Sequence, residues 1–286
     1  MPLDTLQVRI LNDLSEQRNK GSAIAGGSVL HQHGYRISDD QDVFHIDGSD
    51  VQKIAEADIQ LLTSKGYDVE TNFSNAGIVE AIVYLEDYSP TKIQWVQSGL
   101  INFFEAVPDK TFGHRLHLAD IAVNKVIAAA SRKESRDFVD LDFIHKHVLP
   151  LWLAAWAAPG KDASLNPAAI LEKLSRSNHY SQEQIDANYS LKDIDAIGLM
   201  NDINSAIDEA RTNIQKIPAE WAGCLFVNSN GEIITDVDMI ETLFRSHELY
   251  TIQPKSGGGW PSGPDIDRVI IDKIIEEYGP EGSLIP

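Results

Sequence analysis

The stretch from Gly26 to Phe44, GGSVLHQHGYRISDDQDVF, decides the fold that we predict for this chain. It places two glycines and Ser28 a short loop ahead of an acidic run, in which a single residue separates Asp40 from Asp42. Carboxylates held close together repel one another, so a folded chain that keeps them there needs open water or a cation to offset the cost. The stretch therefore indicates either a solvated acidic loop or a cation site.

The glycine pair suits a turn into a short helix. Gly26 and Gly27 let the backbone approach a ligand closely, with Ser28 near the N-terminus of the helix that follows. Free N–H groups at the start of a helix favour phosphate oxygens. The segment is therefore interpreted either as a phosphate-binding turn or as a plain turn.

The two aspartates stand at the entry to the β-prone run DVFHI. On a strand, Asp40 and Asp42 point to one face, while Gln41 and Val43 point to the other. Two carboxylates on one face can share divalent metal ions, which would bridge them to the phosphates of a nucleotide. The alternative is a solvated loop, because short motifs often match by chance.

A second segment with candidate functional residues is HLADIAVNKVIAAASRKESRDFVDLDFI. Leu118, Lys125 and Arg132 lie seven residues apart in it, so they share one stripe of a helix. The neighbours of Lys125 are largely apolar, an uncommon setting for a lysine that only confers solubility. Arg136 and Asp140 follow at i and i+4, which also fits a surface ion pair worth a few tenths of a kcal/mol.

Together the two segments resemble a known family. Gly-Gly-Ser followed by Arg36-x-Ser38-x-Asp40-x-Asp42 resembles the first motif of nucleotidyltransferases of the DNA polymerase β superfold, in the version found in the AbiEii/AbiGii toxin family. The later pattern K-x6-R-x3-R-D-x2-D is similar to a later motif of that family, where the lysine is assigned to the nucleotide. Both matches occur in family order and cover roughly residues 20 to 148.

The resemblance implies an α+β nucleotidyltransferase domain at about residues 1–150, built on a mixed sheet with flanking helices. It implies a nucleoside triphosphate as substrate, and Mg²⁺, or Mn²⁺ in its place, as the metal held by Asp40 and Asp42. The catalytic residues that it implies are Asp40, Asp42, Lys125 and Asp137. The nucleotide-binding residues that it implies are Gly26, Gly27, Ser28, Arg36, Ser38, Lys125 and Arg132.

The sequence departs from the superfold at the third metal carboxylate. A neighbouring strand usually supplies it, and Gln94 stands at that position in TKIQWVQ. Glutamine can coordinate through its carbonyl oxygen but brings no charge. Either Glu80, Asp137 or Asp140 completes the site, or the chain is a catalytically silent member that only binds nucleotide or a partner.

The resemblance also implies a toxin of a bacterial toxin-antitoxin or abortive-infection system, with a cognate antitoxin as partner. The acceptor would be an RNA such as tRNA, or a protein. The net charge of −19 opposes general RNA binding, so an RNA acceptor would depend on a few cations such as Arg132, Lys133 and Arg136. An acidic scaffold without a ligand is the remaining alternative.

The rest of the chain predicts the domain organisation. Residues 151–286 form a second region, helical to about Pro218, with a hairpin around Asn230-Gly231 and the loop SGGGWPSGP in the tail. We expect helix starts at Asn166 and Ser181. In residues 1–150 we expect helices near 4–20, 117–132 and 136–146, and strands near 42–46, 67–73, 78–86 and 91–97.

Composition narrows the class of protein further. Of 286 residues 43% are hydrophobic, which is typical of a globular chain. The single cysteine, Cys224, excludes an internal disulfide, and the longest apolar run is shorter than the roughly 20 residues that span a bilayer. We therefore expect a cytoplasmic protein without membrane contact. The histidines that lie close together in the sequence match no strong zinc-binding motif. Trp152 and Trp156 fit packing in the hydrophobic core.

Overall fold

The computed structural model describes residues 3–33, 35–45, 50–97, 101–188 and 193–258. The strands are β1 (Ser22–Ala25), β2 (Asp40–His45), β3 (Asp68–Ser74), β4 (Ile78–Tyr84), β5 (Thr91–Gln97), β6 (Ile101–Asn102), β7 (Val107–Asp109), β8 (Gly113–Arg115), β9 (Leu225–Val227), β10 (Tyr250–Ile252) and β11 (Lys255–Ser256). The helices are α1 (Thr5–Leu14), α2 (Gly26–Leu30), α3 (Val51–Ser64), α4 (Leu118–Ser131), α5 (Ser135–His147), α6 (Leu151–Lys161), α7 (Pro167–Ser177), α8 (Gln182–Asp186), α9 (Ala196–Ile214) and α10 (Val237–Arg245). The predicted α+β class is confirmed.

A mixed sheet of seven strands, in the order β3-β4-β5-β2-β1-β8-β7, organises the N-terminal half of the described chain. The strand β2 pairs antiparallel with β1 on one side and parallel with β5 on the other. In this register Asp42 lies opposite Gln94, and Gln94 lies opposite Glu80 on β4. The three side chains therefore form one row across three neighbouring strands.

Alternate side chains of β2 point to opposite faces of the sheet, as the sequence predicts. Gln41 and Val43 are fully buried, while Asp40 and Asp42 lie on the opposite, half-buried face. The helix α3 packs against β3, β4 and β5 and contacts α1, and Gln7 of α1 donates to the Ser38 carbonyl, just before β2, at 2.7 Å. The hydrophobic side of β2 thus fixes the strand, and its acidic side stays accessible.

Helices α4 to α9 pack together in the following part of the chain, with α6 in contact with α4, α7 and α9. The predicted starts are confirmed: the Asn166 side chain caps α7, and Ser181 caps α8 in a capping box. Trp152 and Trp156 are buried core residues, as predicted. The hydrophobic cluster around them is continuous with that of the sheet, and the predicted boundary at residue 150 stays a prediction.

A buried ion pair joins α6 to α4. Lys161, at the end of α6, contacts Asp120 of α4 at 2.7 Å, and both side chains are almost completely buried. Lys161 also donates to Asn124 at 2.9 Å, and Asp120 accepts the backbone N–H groups of Phe103 and Phe104. Burial lowers the pKa of Lys161. The α4 helix is thereby fixed at its first turn.

Several elements differ from the sequence expectations. The first helix ends at Leu14 and continues only as a 3-10 turn to Gln17. The helix α3 and the short strands β1, β6, β7 and β8 were not predicted. The predicted strand of residues 42–46 begins at Asp40 instead, and residue 46 lies outside the described residues, as do residues 259–264 of the predicted tail loop.

The predicted hairpin at Asn230-Gly231 is present but short. Gly231 lies in the turn at φ +82°, Ile234 N–H donates to the Phe226 carbonyl at 2.9 Å, and an antiparallel bridge joins Val227 to Ile233. The strand β9 also pairs with β10, which lies beyond the unpredicted helix α10. No helix among the described residues is long and apolar enough to cross a membrane.

Candidate active site

The glycine turn lies directly against the acidic face of β2. Gly26 has φ +71°, in the left-handed region that favours glycine, and a Cβ there would collide with the Asp42 carboxylate. A Cβ at Gly27 would lie 2.7 Å from Ser38 Oγ. The helix α2 begins at Gly26, and its first turn has no side-chain cap. The predicted neighbourhood of glycine turn and aspartates is therefore present.

Two serines hold the backbone of this turn in place. Ser28 Oγ donates to the Asp40 carbonyl at 2.8 Å, and Ser38 Oγ donates to the same carbonyl at 2.9 Å. Both side chains are buried. Their hydroxyls therefore fix the Asp40 peptide, and a contact of either serine with nucleotide stays a prediction.

The carboxylate of Asp42 has little neutralising support from the protein. It forms no hydrogen bond with the residues that the structure describes. Burial, together with the charge of Asp40, raises the pKa of Asp42 to about 6, although Lys125, Lys92 and Arg136 act in the opposite direction. The strand thus holds two carboxylates at a place where a further positive charge would be stabilising.

Two polar side chains continue the acidic face onto the neighbouring strands. Gln94 Nε2 donates to Glu80 Oε2 at 2.6 Å. Lys92 Nζ lies 3.5 Å from Asp40 Oδ2 and 3.7 Å from Glu80 Oε2. Gln94 therefore stands beside Asp42, as the sequence predicts, and Glu80 is the nearest carboxylate beyond it along the row.

Asp140 of α5 lies at the centre of a second charged cluster, which is buried. Arg36 donates to both of its oxygens, from Nε at 2.7 Å and from Nη2 at 3.0 Å. Lys125 Nζ lies 2.6 Å from Asp140 Oδ2, and His31 Nε2 lies 2.6 Å from Oδ1. Burial alone would raise the pKa of Asp140, but Arg36, Lys125 and His31 hold it well below its usual range.

The protonation state of His31 follows from the same cluster. The imidazole is completely buried, and its burial lowers the pKa of His31 to about 4 even though Asp140 acts to raise it. His31 is therefore neutral near pH 7 and donates from Nε2 to the carboxylate. No pattern in the sequence indicates this contact, because the two residues lie 109 positions apart.

Lys125 connects the two clusters. Its side chain is 12% exposed, its ammonium is anchored on Asp140, and its charge also lowers the pKa of Asp42. An ammonium has three donors, so the contact with Asp140 leaves capacity for another anion. The apolar setting seen in the sequence is real, since Val123 and Val126 are completely buried.

Asp137, which the resemblance implies as a catalytic residue and a possible third carboxylate, is held by an arginine. It is fully buried, and its two oxygens accept from Arg132 Nε at 2.7 Å and Nη2 at 2.8 Å. It therefore fixes the end of α4 to α5, and a catalytic role for it stays a prediction. Contact of Arg132 with nucleotide stays a prediction, because its side chain is still 44% exposed.

The surface pair that the sequence allowed between Arg136 and Asp140 is not formed. Arg136 instead contacts Asp39 at 3.3 Å and Glu134 at 2.9 Å. Asp140 is not a free carboxylate, because Arg36 and Lys125 already neutralise it and His31 donates a hydrogen bond to it. Glu80 thus remains the accessible acidic side chain of the three that the sequence offered.

The donor set at β2 fits Mg²⁺. This ion is usually bound through one or two carboxylates together with substrate phosphates. Asp40 and Asp42 supply two such groups, and the Asp42 carboxylate forms no hydrogen bond with the residues that the structure describes. Among the described residues no group of three or more histidine, cysteine or acidic side chains encloses a common point. Phosphate oxygens would therefore have to complete the coordination.

Comparison with known proteins gives a fold but no family. No family model matches the chain, and no curated protein matches it. Among solved structures it is similar to MenT4, a nucleotidyltransferase toxin from Mycobacterium tuberculosis H37Rv, at 12% identity and a TM-score of 0.55, over 76% of this chain and 84% of that one. A proposed nucleotidyltransferase from H. pylori has 16% identity and a TM-score of 0.45, over 73% and 93%.

The likeness to MenT4 defines the class of fold. The chain shares the fold of a nucleotidyltransferase. It has a mixed sheet with flanking helices, and a glycine turn precedes the strand that carries the two aspartates. The fold class predicted from the sequence is thereby confirmed.

Proposed function

We propose that this protein is a nucleotidyltransferase that moves a nucleoside monophosphate from a triphosphate to an acceptor hydroxyl. The observation that carries the proposal is the contact between the glycine turn and the Asp42 carboxylate. It brings a candidate phosphate-binding backbone and a candidate metal-binding pair to one place. A nucleotide bound there would meet both.

The residues that would hold the metal are Asp40 and Asp42. When bound, Mg²⁺ would polarise the α-phosphate and make the acceptor hydroxyl more acidic. The acceptor oxygen forms its bond to the α-phosphorus as the bond to the bridging oxygen breaks, and pyrophosphate leaves. The hydroxyl proton is released to solvent.

The remaining roles belong to groups around the aspartates. The backbone N–H groups at Gly27 and Ser28 are placed to bind the β- and γ-phosphates. The Lys125 ammonium, held by Asp140, stabilises the negative charge that develops on the leaving pyrophosphate. Arg36 and Ser38 act as positioning residues, since Arg36 binds Asp140 and Ser38 binds the Asp40 carbonyl.

The biological setting follows as part of the same proposal. MenT4 is a nucleotidyltransferase toxin, and the two motifs resemble the AbiEii/AbiGii toxins. We therefore place this protein among toxins of toxin-antitoxin or abortive-infection systems, with an antitoxin as partner. The acceptor is an RNA such as tRNA, or a protein.

A catalytically silent protein of the same fold is the second candidate. Gln94 favours it, because this residue stands opposite Asp42 where the superfold usually supplies a carboxylate. Such a protein would bind nucleotide or a partner without transferring a group. The intact Asp40, Asp42 and Lys125 favour the active enzyme.

Labelled triphosphates separate the two candidates. The protein is incubated with each α-labelled triphosphate, Mg²⁺, and either total bacterial RNA or cell protein. An active enzyme labels one acceptor pool, and the variants Asp40→Asn and Asp42→Asn lose this label while they stay folded. Triphosphate binding without label would support the silent candidate, and equal labelling by the variants would refute the metal site.

A further inference from the structure

The acidic face of the sheet also carries a lysine side chain. Lys92 on β5 places its ammonium within 4 Å of carboxylate oxygens of both Asp40 and Glu80. Its side chain is 33% exposed, so it reaches this place from the open side of the sheet. No other described lysine or arginine contacts either carboxylate.

The strand register explains this arrangement. Lys92 lies opposite Asp40 on β2, and Gln94 lies opposite both Asp42 and Glu80. Because alternate residues share a face, the five side chains form a compact patch of three acids, one base and one amide. The patch consists of Asp40, Asp42, Glu80, Lys92 and Gln94.

Glu80 is oriented by its neighbour in this patch. Gln94 Nε2 donates to Glu80 Oε2 at 2.6 Å, which turns the Glu80 carboxylate toward the Asp42 side of the row. The Glu80 side chain is 26% exposed and the Asp40 side chain 18%, so solvent and small ions can reach both. Asp137 and Asp140, in contrast, are enclosed by their arginine partners.

We propose that Glu80 and Lys92 set the divalent-cation affinity of the Asp40–Asp42 pair in opposite directions. Glu80 is the third acidic group of the patch and raises the affinity. Lys92 pairs with the carboxylates of Asp40 and Glu80 when no metal is bound. It therefore competes with the metal and lowers the affinity for it. This inference rests on the proposed function, because it assumes that Asp40 and Asp42 bind the metal.

Coulomb energies give the expected size. A divalent ion has twice the interaction of a monovalent one with each neighbouring charge, and a removed unit charge several ångströms away changes its binding by about tenfold in a partly solvated site. Glu80→Gln should therefore weaken binding by about tenfold, and Lys92→Met should strengthen it by a similar factor. Lys92→Arg keeps the charge and should restore the affinity of the parent protein.

The experiment measures Mn²⁺ alone, without nucleotide, by titration calorimetry and by the electron paramagnetic resonance signal of free Mn²⁺. Glu70→Gln is the matched control. Glu70 is an exposed acid on β3 that bonds to Tyr84, and it makes the same change of charge on the same sheet without touching the patch. Circular dichroism confirms that each variant is folded.

Each outcome decides a different point. Weaker binding by Glu80→Gln and stronger binding by Lys92→Met, with an unchanged control, support the inference. If Asp42→Asn abolishes Mn²⁺ binding while the Glu80 and Lys92 variants match the parent, the inference is overturned and the proposed metal site stands. If the parent binds no Mn²⁺ either alone or together with a non-hydrolysable nucleoside triphosphate, both are overturned.

Discussion

Asp42 and Asp140 both interact with the charge of Lys125, and the protein treats these two carboxylates in opposite ways. Asp140 is enclosed by an arginine, a lysine and a histidine, and its pKa is held well below the usual range. Asp42 has no hydrogen-bond partner among the described residues, and its pKa is raised to about 6. The comparison indicates that Asp140 stabilises the fold through ion pairs within the protein, whereas Asp42 is available to bind a cation from solution.

The largest effect on stability is expected for Asp140→Asn. Removing this carboxylate leaves Arg36 and Lys125 without their buried partner, and such a loss typically costs about 3 to 5 kcal/mol of unfolding free energy. Urea unfolding followed by circular dichroism measures it. The control Asp208→Asn removes an exposed acid paired with Arg211 and should cost at most about 1 kcal/mol. Equal midpoints for the two variants would contradict a structural role of the buried cluster.

Lys125→Met tests the residue that the two clusters share. We expect the transfer rate to fall about a hundredfold, which corresponds to about 2.7 kcal/mol of transition-state stabilisation. The contact with buried Asp140 also predicts a moderate loss of stability, smaller than for Asp140→Asn because Arg36 and His31 remain.

Single-turnover assays with saturating triphosphate measure this rate. Lys173→Met, at an exposed lysine of α7, is the control and should keep the parental rate. A parental rate for Lys125→Met would remove this residue from the reaction.

The melting temperature of Asp42→Asn relative to that of the parent protein should depend on pH. Because the folded-state pKa of Asp42 is raised from 3.8 to about 6, the favourable contribution of the protonated group is complete below 3.8 and is lost as the pH rises through 6. Without metal, the variant should therefore melt at a higher temperature than the parent at about pH 8 and at the same temperature near pH 3.5.

Thermal unfolding in metal-free buffer at the two pH values measures this difference. Added Mg²⁺ should reduce the advantage of the variant by stabilising only the parent. A variant that melts at or below the parental temperature at the higher pH would argue against repulsion between Asp40 and Asp42.

The smallest effect on stability is expected for Arg136→Gln. Its pairs with Asp39 and Glu134 are partly exposed, and such pairs contribute about 0 to 1 kcal/mol. If the acceptor is RNA, this change should nevertheless weaken RNA binding more than triphosphate binding. Filter binding at fixed salt compares the two ligands, with Arg211→Gln as a control arginine. Equal losses for both ligands would place Arg136 in the nucleotide pocket.

The parts of the site that the sequence predicts are local. The i, i+2 spacing of Asp40 and Asp42 fixes their common face, and the glycine pair fixes the turn beside them. The side chains of Asn166 and Ser181 similarly determine helix starts from their own segments. Each of these features depends on a few neighbouring residues, so a single sequence is enough.

The parts that the sequence misses are contacts over long distances in the chain. Arg36 lies 104 residues from Asp140, and no spacing rule connects them. The same reason explains the missed pairing of β9 with β10, because an intervening helix separates the two strands in the chain. Lys92 shares an alternating strand pattern with Gln94, and this pattern could have placed it on the acidic face.

The buried contact of Lys161 with Asp120 has a practical consequence for experiments with fragments of this chain. A fragment that ends near residue 150 would lack Lys161 and leave Asp120 buried and without its cation, at the first turn of the helix that carries Lys125. It would also uncover the apolar surface of α4 that packs against α6. Expression of the N-terminal half alone should therefore give insoluble material, whereas a chain that continues through α9 keeps the helix anchored.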